Sequence, residues 1–96
     1  IYITGHCANE NSGSAEATLV CAAMTTLAQT IAQNVFDSED TGDTDIIDVT
    51  LRSGQAVISY VTDDDGLNTA VDGICKGFDM LEENYPEYVS CYRSER

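Results

Sequence analysis

The sequence predicts an α+β fold, a two-layer sandwich of two helices packed on a mostly antiparallel sheet of about four strands in the order β-α-β-β-α-β. Three observations carry that expectation. Two stretches repeat apolar residues at the three-and-four spacing of an amphipathic helix. Between them, two runs rich in β-branched residues meet at Ser53-Gly54. Short strand-like segments stand at either end. With 96 residues there is room for one small domain, residues 1–96, and no second unit or repeat is visible. A chain of this size buries roughly 60–65% of its surface on folding, so every element has to contribute to the core.

Taken in order, Ile1–Thr4 is a strand fragment, and Gly5-His6-Cys7-Ala8 follows it. From Thr18 to Val35, Val20, Met24, Leu27, Ile31 and Val35 form an apolar stripe, with Thr25, Thr26, Gln29, Thr30, Gln33 and Asn34 outside it. Thr18 serves as N-cap in this reading, which puts Cys21 in the first turn. Phe36–Thr44, FDSEDTGDT, reads as a polar acidic loop. Asp45–Arg52 and Gln55–Thr62 then form a tight hairpin about Ser53-Gly54. Leu67, Ala70, Val71, Ile74, Cys75, Phe78 and Leu81 make the second helical stripe, to about Glu83. Asp63, Asp64 and Asp65 precede it as capping carboxylates, and Pro86 prevents its continuation. Glu87–Arg93 closes the series as a strand.

Charge excludes whole classes of partner. Seventeen acidic residues against four basic ones give a formal charge of -13. A phosphate-backbone binder needs a Lys/Arg stripe, and anionic lipid repels such a surface, so neither nucleic acid nor membrane is an expected direct partner. At 43% apolar residues the chain is too hydrophobic for a disordered acidic tail. No apolar run approaches the roughly 20 residues that span a bilayer. The opening IYITGHC lacks the charged and apolar regions of a signal peptide. A cytoplasmic location is therefore expected. The cysteines Cys7, Cys21, Cys75 and Cys91 allow three pairings, but with no CxxC spacing and no secretory feature they are read as free thiols.

The residues able to do chemistry are few. His6 is the single histidine. A thiol in the first turn of a helix, as Cys21 is placed here, meets unpaired N–H groups and the positive end of the dipole, both of which favour a thiolate. The same N–H groups can hold an oxyanion. The plainer alternative is that Cys21 is a small core hydrophobe and His6 a surface residue. A zinc site at His6, Cys7 and Cys21 lacks paired ligand spacing, and neighbours in a strand face opposite ways. No metal or other cofactor is expected. The acidic clusters Asp37–Asp43 and Asp63–Asp65 lack the calcium-loop pattern and read as a solvated loop and a capping turn. Cys75 belongs to the core stripe, the side faced by Cys91 is open, and Tyr85, Tyr88 and Tyr92 are expected to pack against the helices.

The run from strand through Gly5-His6, a loop containing Gly13, and Val20-Cys21-Ala22-Ala23-Met24-Thr25 with Leu27 resembles the ribosomal-processing cysteine protease (Prp) family. Its members show a GHA motif, a short glycine-containing loop and a helix opening on a D-I-V-C-A-A-like run. Glu83-Asn84-Tyr85-Pro86-Glu87-Tyr88-Val89 is similar to the Tyr-Pro ending of that family, so the resemblance covers most of the chain. It implies a homodimeric cysteine endopeptidase with His6 as base and Cys21 as nucleophile, trimming the N-terminal extension of a basic large-subunit ribosomal protein. It also implies a mobile loop between the two residues that shapes the substrate cleft, Gly13 included. Imidazole would take the thiol proton, thiolate would attack the carbonyl, and imidazolium would protonate the leaving amine.

Three departures stand out. Cys7 replaces the Ala after the His, Thr18 replaces an Asp ahead of the Cys, and the fifteen-residue span from His6 to Cys21 is longer than usual. Cys7 is then incidental, part of the site, or a redox partner whose disulfide with Cys21 would switch the enzyme off. Asn9, Glu10 and Asn11 lie near His6 in sequence, and the third catalytic position stays open. The alternatives are a diverged protease with another substrate, a phage-encoded version included, or a non-catalytic acidic α+β dimer that binds a basic protein segment.

Overall fold

The computed structural model describes residues 1–7, 15–52 and 54–94. Its elements are β1 (Tyr2–Cys7), α1 (Ala15–Asp40), β2 (Thr44–Arg52), β3 (Gln55–Thr62), α2 (Asp65–Asn84) and β4 (Val89–Ser94). The strands form one antiparallel sheet in the order β2-β3-β1-β4, and both helices pack on one of its faces. The expected α+β sandwich is the observed fold.

The core lies between the two layers. Ile3 and Cys7 of β1 and Ala56, Ile58 and Tyr60 of β3 meet Met24, Ala28, Ile31, Ala32 and Val35 of α1 and Leu67, Val71, Cys75 and Phe78 of α2. Ile31, Val35 and Val71 are fully enclosed, each stabilising the fold by roughly 1.5–3 kcal/mol. Gly5 keeps β1 low beneath this layer: a Cβ there would already touch Phe78 Cε1 at 3.5 Å and Met24 Sδ at 3.7 Å. The other sheet face has no layer over it among the described residues. Tyr2 and Tyr92 meet there edge to face, 6.4 Å between ring centres. Tyr92 therefore sits away from the helices, contrary to expectation. On β2 the pairing shifts between Ile46 and Asp48, and the intervening Ile47 is exposed.

Helix α1 differs most from the sequence expectation. It begins at Ala15 rather than Thr18 and runs on to Asp40, through most of the segment expected to be a loop. The reason is a stripe continued by small residues. Ala17, Val20, Met24, Ala28, Ile31, Val35 and Ser38 are buried at spacings of three and four, and Ala17 and Ser38 carry it past both expected ends. Leu27 turns instead toward α2, where its Cδ atoms come to 3.0 Å of the Cβ position of Gly77. The helix stops at Gly42, whose φ of +86° suits glycine. Gly42 N–H donates to Glu39 O at 2.9 Å and Asp43 N–H to Ser38 O at 3.3 Å, a Schellman closure. By length and hydropathy α1 is also apolar enough to cross a membrane, contrary to the sequence reading, but its buried stripe makes it the core helix of the sandwich.

The hairpin forms as expected, Arg52 opposite Gln55 with Gly54 at φ +74°. At the start of α2, Asp64 is the N-cap, accepting the Leu67 N–H at 3.0 Å. The helix ends at Tyr85, one residue before Pro86.

Candidate active site

Strand β1 settles where His6 and Cys7 point. It continues beyond Thr4, because β3 and β4 pair with it on both edges as far as His6, which lies opposite Gln55 and Ser90. Alternation then sends Ile3, Gly5 and Cys7 toward the helices and Tyr2, Thr4 and His6 to the uncovered face. His6 is exposed there, whereas Cys7 is 3% exposed. Cys7 N–H donates to Gly54 O at 2.8 Å, which ties the end of β1 to the hairpin turn.

Cys21 lies on α1 above Cys7, and the two are joined as a disulfide with Cα atoms 5.7 Å apart, across a sequence separation of 14. This corrects the reading of all four cysteines as free thiols: two are oxidised, and Cys75 and Cys91 are free. Closing a loop of this length stabilises the fold by about 3 kcal/mol in the chain-entropy account. The earlier start of α1 corrects a second expectation. Cys21 sits in the second turn, beyond the reach of the unpaired N–H groups, so a lowered thiol pKa at a helix N-terminus does not apply to it. The disulfide nevertheless brings the expected base and nucleophile into one corner. His6 is one peptide from Cys7, so its Cα lies within roughly 10 Å of that of Cys21. Their side chains point to different sides of the sheet in this oxidised state. Gly13, Asn9, Glu10 and Asn11 lie outside the described residues.

Beside this corner the two antiparallel helices leave an apolar groove of about 490 Å³, lined by Ala23, Thr26 and Leu27 of α1 and Gly77, Met80, Leu81 and Asn84 of α2. Met80 is 62% exposed at its edge, and acidic Glu83 is exposed in the same stretch of α2. Sequence reasoning did not find this groove. Its signal was a small residue on each helix, Ala23 on α1 and Gly77 on α2, with Leu27 facing Gly77.

The free cysteines are placed for packing. Cys91, opposite Gly5, faces the helices, and its N–H donates to Glu82 Oε2 at 3.0 Å. Burial and the nearby Glu82 carboxylate push its thiol up to about 12. Burial also raises Cys75, against the opposing pull of Arg93. Neither is a thiolate near neutral pH. Both line a cavity of about 460 Å³ between α2 and β4, bridged by the Arg93–Asp72 ion pair. Among the described residues no group of three His, Cys, Asp or Glu side chains is arranged to hold a metal ion.

The opposite end of the sandwich holds a ring of polar groups that the sequence did not announce. Asp64 N–H donates to Thr62 Oγ1 at 2.9 Å, Thr62 Oγ1 lies 2.7 Å from Thr44 Oγ1, Thr44 Oγ1 lies 2.6 Å from Ser38 Oγ, and Ser38 Oγ donates to Asp64 Oδ2 at 2.9 Å. Thr62 Oγ1 also lies 3.1 Å from Asp43 O, so its one proton is shared between that carbonyl and Thr44. The Leu67 N–H and Ser38 hydroxyl hold the Asp64 carboxyl below its ordinary pKa. No family model, curated protein or solved structure matches this chain.

Proposed function

We propose that the chain is a cysteine endopeptidase of the ribosomal-processing (Prp) type, active with Cys7 and Cys21 reduced, as in a reducing cytoplasm. Cys21 is the nucleophile and His6 the base. The observation that carries this reading is the joining of β1 and α1 through Cys7 and Cys21, which sets the lone histidine and the helical cysteine in one corner of a β-α-β-β-α-β fold. The sequence resemblance supplies the chemistry. Productive contact requires the end of β1 beyond Gly5 to turn so that imidazole reaches the thiol, a rearrangement of the last ladder pairs of the strand. The groove between α1 and α2 takes an apolar side chain of the substrate, and the charge of -13 steers a basic ribosomal-protein extension toward it. A second copy covers the open sheet face, where Ile47, Val61 and Tyr92 are exposed.

The test is cleavage of a peptide carrying the N-terminal extension of the host ribosomal protein. The reduced chain cuts it, and His6→Ala and Cys21→Ser do not. Absence of cutting by the reduced wild type overturns the proposal. One observation favours a second reading, a binding module for basic segments: His6 and the sulfur of Cys21 lie on different sides of the sheet. That reading predicts retention of the same peptide, uncut, by the wild type and by Cys21→Ser alike.

A further inference from the structure

We infer that Cys7 and Cys21 form a reversible thiol–disulfide switch, in which Cys7 is a built-in resolving residue that closes the site by capturing the sulfur of Cys21. The inference rests on the peptidase reading for its functional consequence, though not for its chemistry. A sulfur shared with Cys7 cannot attack a carbonyl, so the bonded form is closed for catalysis whatever substrate fills the groove.

Three features of the molecule allow the bond to open and close without unfolding the chain. First, the elements it joins are anchored without it. β1 is paired on both edges from Tyr2 to Gly5, and α1 is fixed by its buried stripe from Ala17 to Ser38, so that only the last residues of β1 are left to move when the bond opens. Second, the two sulfurs differ in access. Cys7 is buried and Cys21 half-buried, so an incoming small thiolate reaches Cys21 Sγ and expels Cys7 as the leaving thiolate. Third, Cys75 is buried, and half-buried Cys91 turns its thiol toward Phe78 O between α2 and β4; with both thiols raised, neither competes as a thiolate. Oxidation is thereby directed to one of the six single bonds that four cysteines permit.

The step balances with a low-molecular-weight disulfide as oxidant. The Cys21 thiolate attacks glutathione disulfide, one glutathione thiolate leaves, and a mixed disulfide forms on Cys21. The Cys7 thiolate attacks Cys21 Sγ and expels the second glutathione. Two protein thiols become one disulfide, and one glutathione disulfide becomes two glutathiones, the thiol protons passing to solvent and to the leaving thiolates. Reduction is the reverse.

The experiment equilibrates the whole chain in buffers of graded glutathione to glutathione disulfide ratio. Each sample is quenched by alkylation for peptide mass mapping, and its circular dichroism and peptide cleavage are recorded in parallel. Expected is a single reversible transition between free and bonded Cys7–Cys21 at constant secondary structure, with Cys75 and Cys91 reduced throughout. Cleavage falls with the bonded fraction, by about tenfold or more at full oxidation, and returns on reduction. In Cys7→Ala, and in Cys7→Ser should the first variant fold poorly, the same buffers stop at the mixed disulfide on Cys21. A bond that never forms in these buffers, or that breaks only as the chain unfolds, overturns the switch and leaves the peptidase reading standing. So does an oxidised chain cutting within about twofold of the reduced rate. A reversible bond in a chain that cuts nothing in either state overturns the peptidase reading and with it the closing role, while the exchange chemistry stands.

Discussion

The two ends of this sandwich hold the same helix to the same sheet by opposite means. At its C-terminal end α1 is joined to β2, β3 and α2 through the Ser38–Thr44–Thr62–Asp64 ring of hydrogen-bonded groups. At its N-terminal end it is joined to β1 through one covalent bond, Cys7–Cys21, beside a groove. The ring draws together four segments of the chain and responds to pH through Asp64. The disulfide responds to redox conditions. One end is thus built to stay shut and the other to open, and the residues proposed for catalysis stand at the second.

The largest separable effect on stability is therefore expected at the cysteine end. Reducing Cys7–Cys21 lowers the unfolding free energy by about 3 kcal/mol, read as a lower urea midpoint. Cys7→Ala loses this sensitivity to reductant entirely. At the ring, Ser38→Ala leaves the buried Thr44 hydroxyl short of a partner and costs about 1 kcal/mol, in oxidised and reduced chains alike. Additivity of that loss with reduction, measured in a double cycle, checks that the two ends act independently. Gly42→Ala forces a positive φ on a side chain just beyond the ring and costs about 1 kcal/mol by urea unfolding.

The smallest expected effect is a pH dependence. The Asp64 carboxyl sits below its ordinary value in the folded state, so the unfolded chain takes up that proton first as pH falls. Its stabilising share is complete above about pH 4 and disappears as pH drops through the lower folded value. Asp64→Asn removes that part of the acid dependence, visible as a flatter stability profile below about pH 4.

Much of the fold was legible because hydrophobic period survives without tertiary information. The α2 stripe from Leu67 to Leu81, the hairpin at Gly54 and the cap at Asp64 each have a local cause. The ends of α1 were not legible. Ala17 and Ser38 are too small or too polar to register as stripe positions, yet both are buried, Ser38 against Thr44 of β2. β1 extended to Cys7 for a similar reason, since pairing on both edges outweighs the weak strand character of Gly5-His6-Cys7. At the site, alternation of His6 and Cys7 could be read from their adjacency. The Cys7–Cys21 bond could not be chosen from three pairings until β1 and α1 were placed in space. The ring was hidden because its members come from four segments, and two of them, Ser38 and Thr44, sat in what looked like a solvated loop.

Cys21, once freed from Cys7, is expected to cut a basic peptide. The decisive measurement is mass-resolved cleavage of the ribosomal-protein extension by the fully reduced wild type, by Cys21→Ser and by Cys7→Ala. Cutting at one position by the wild type and Cys7→Ala, and none by Cys21→Ser, is the predicted result. Intact peptide in all three reactions, or equal cutting by Cys21→Ser, would contradict it.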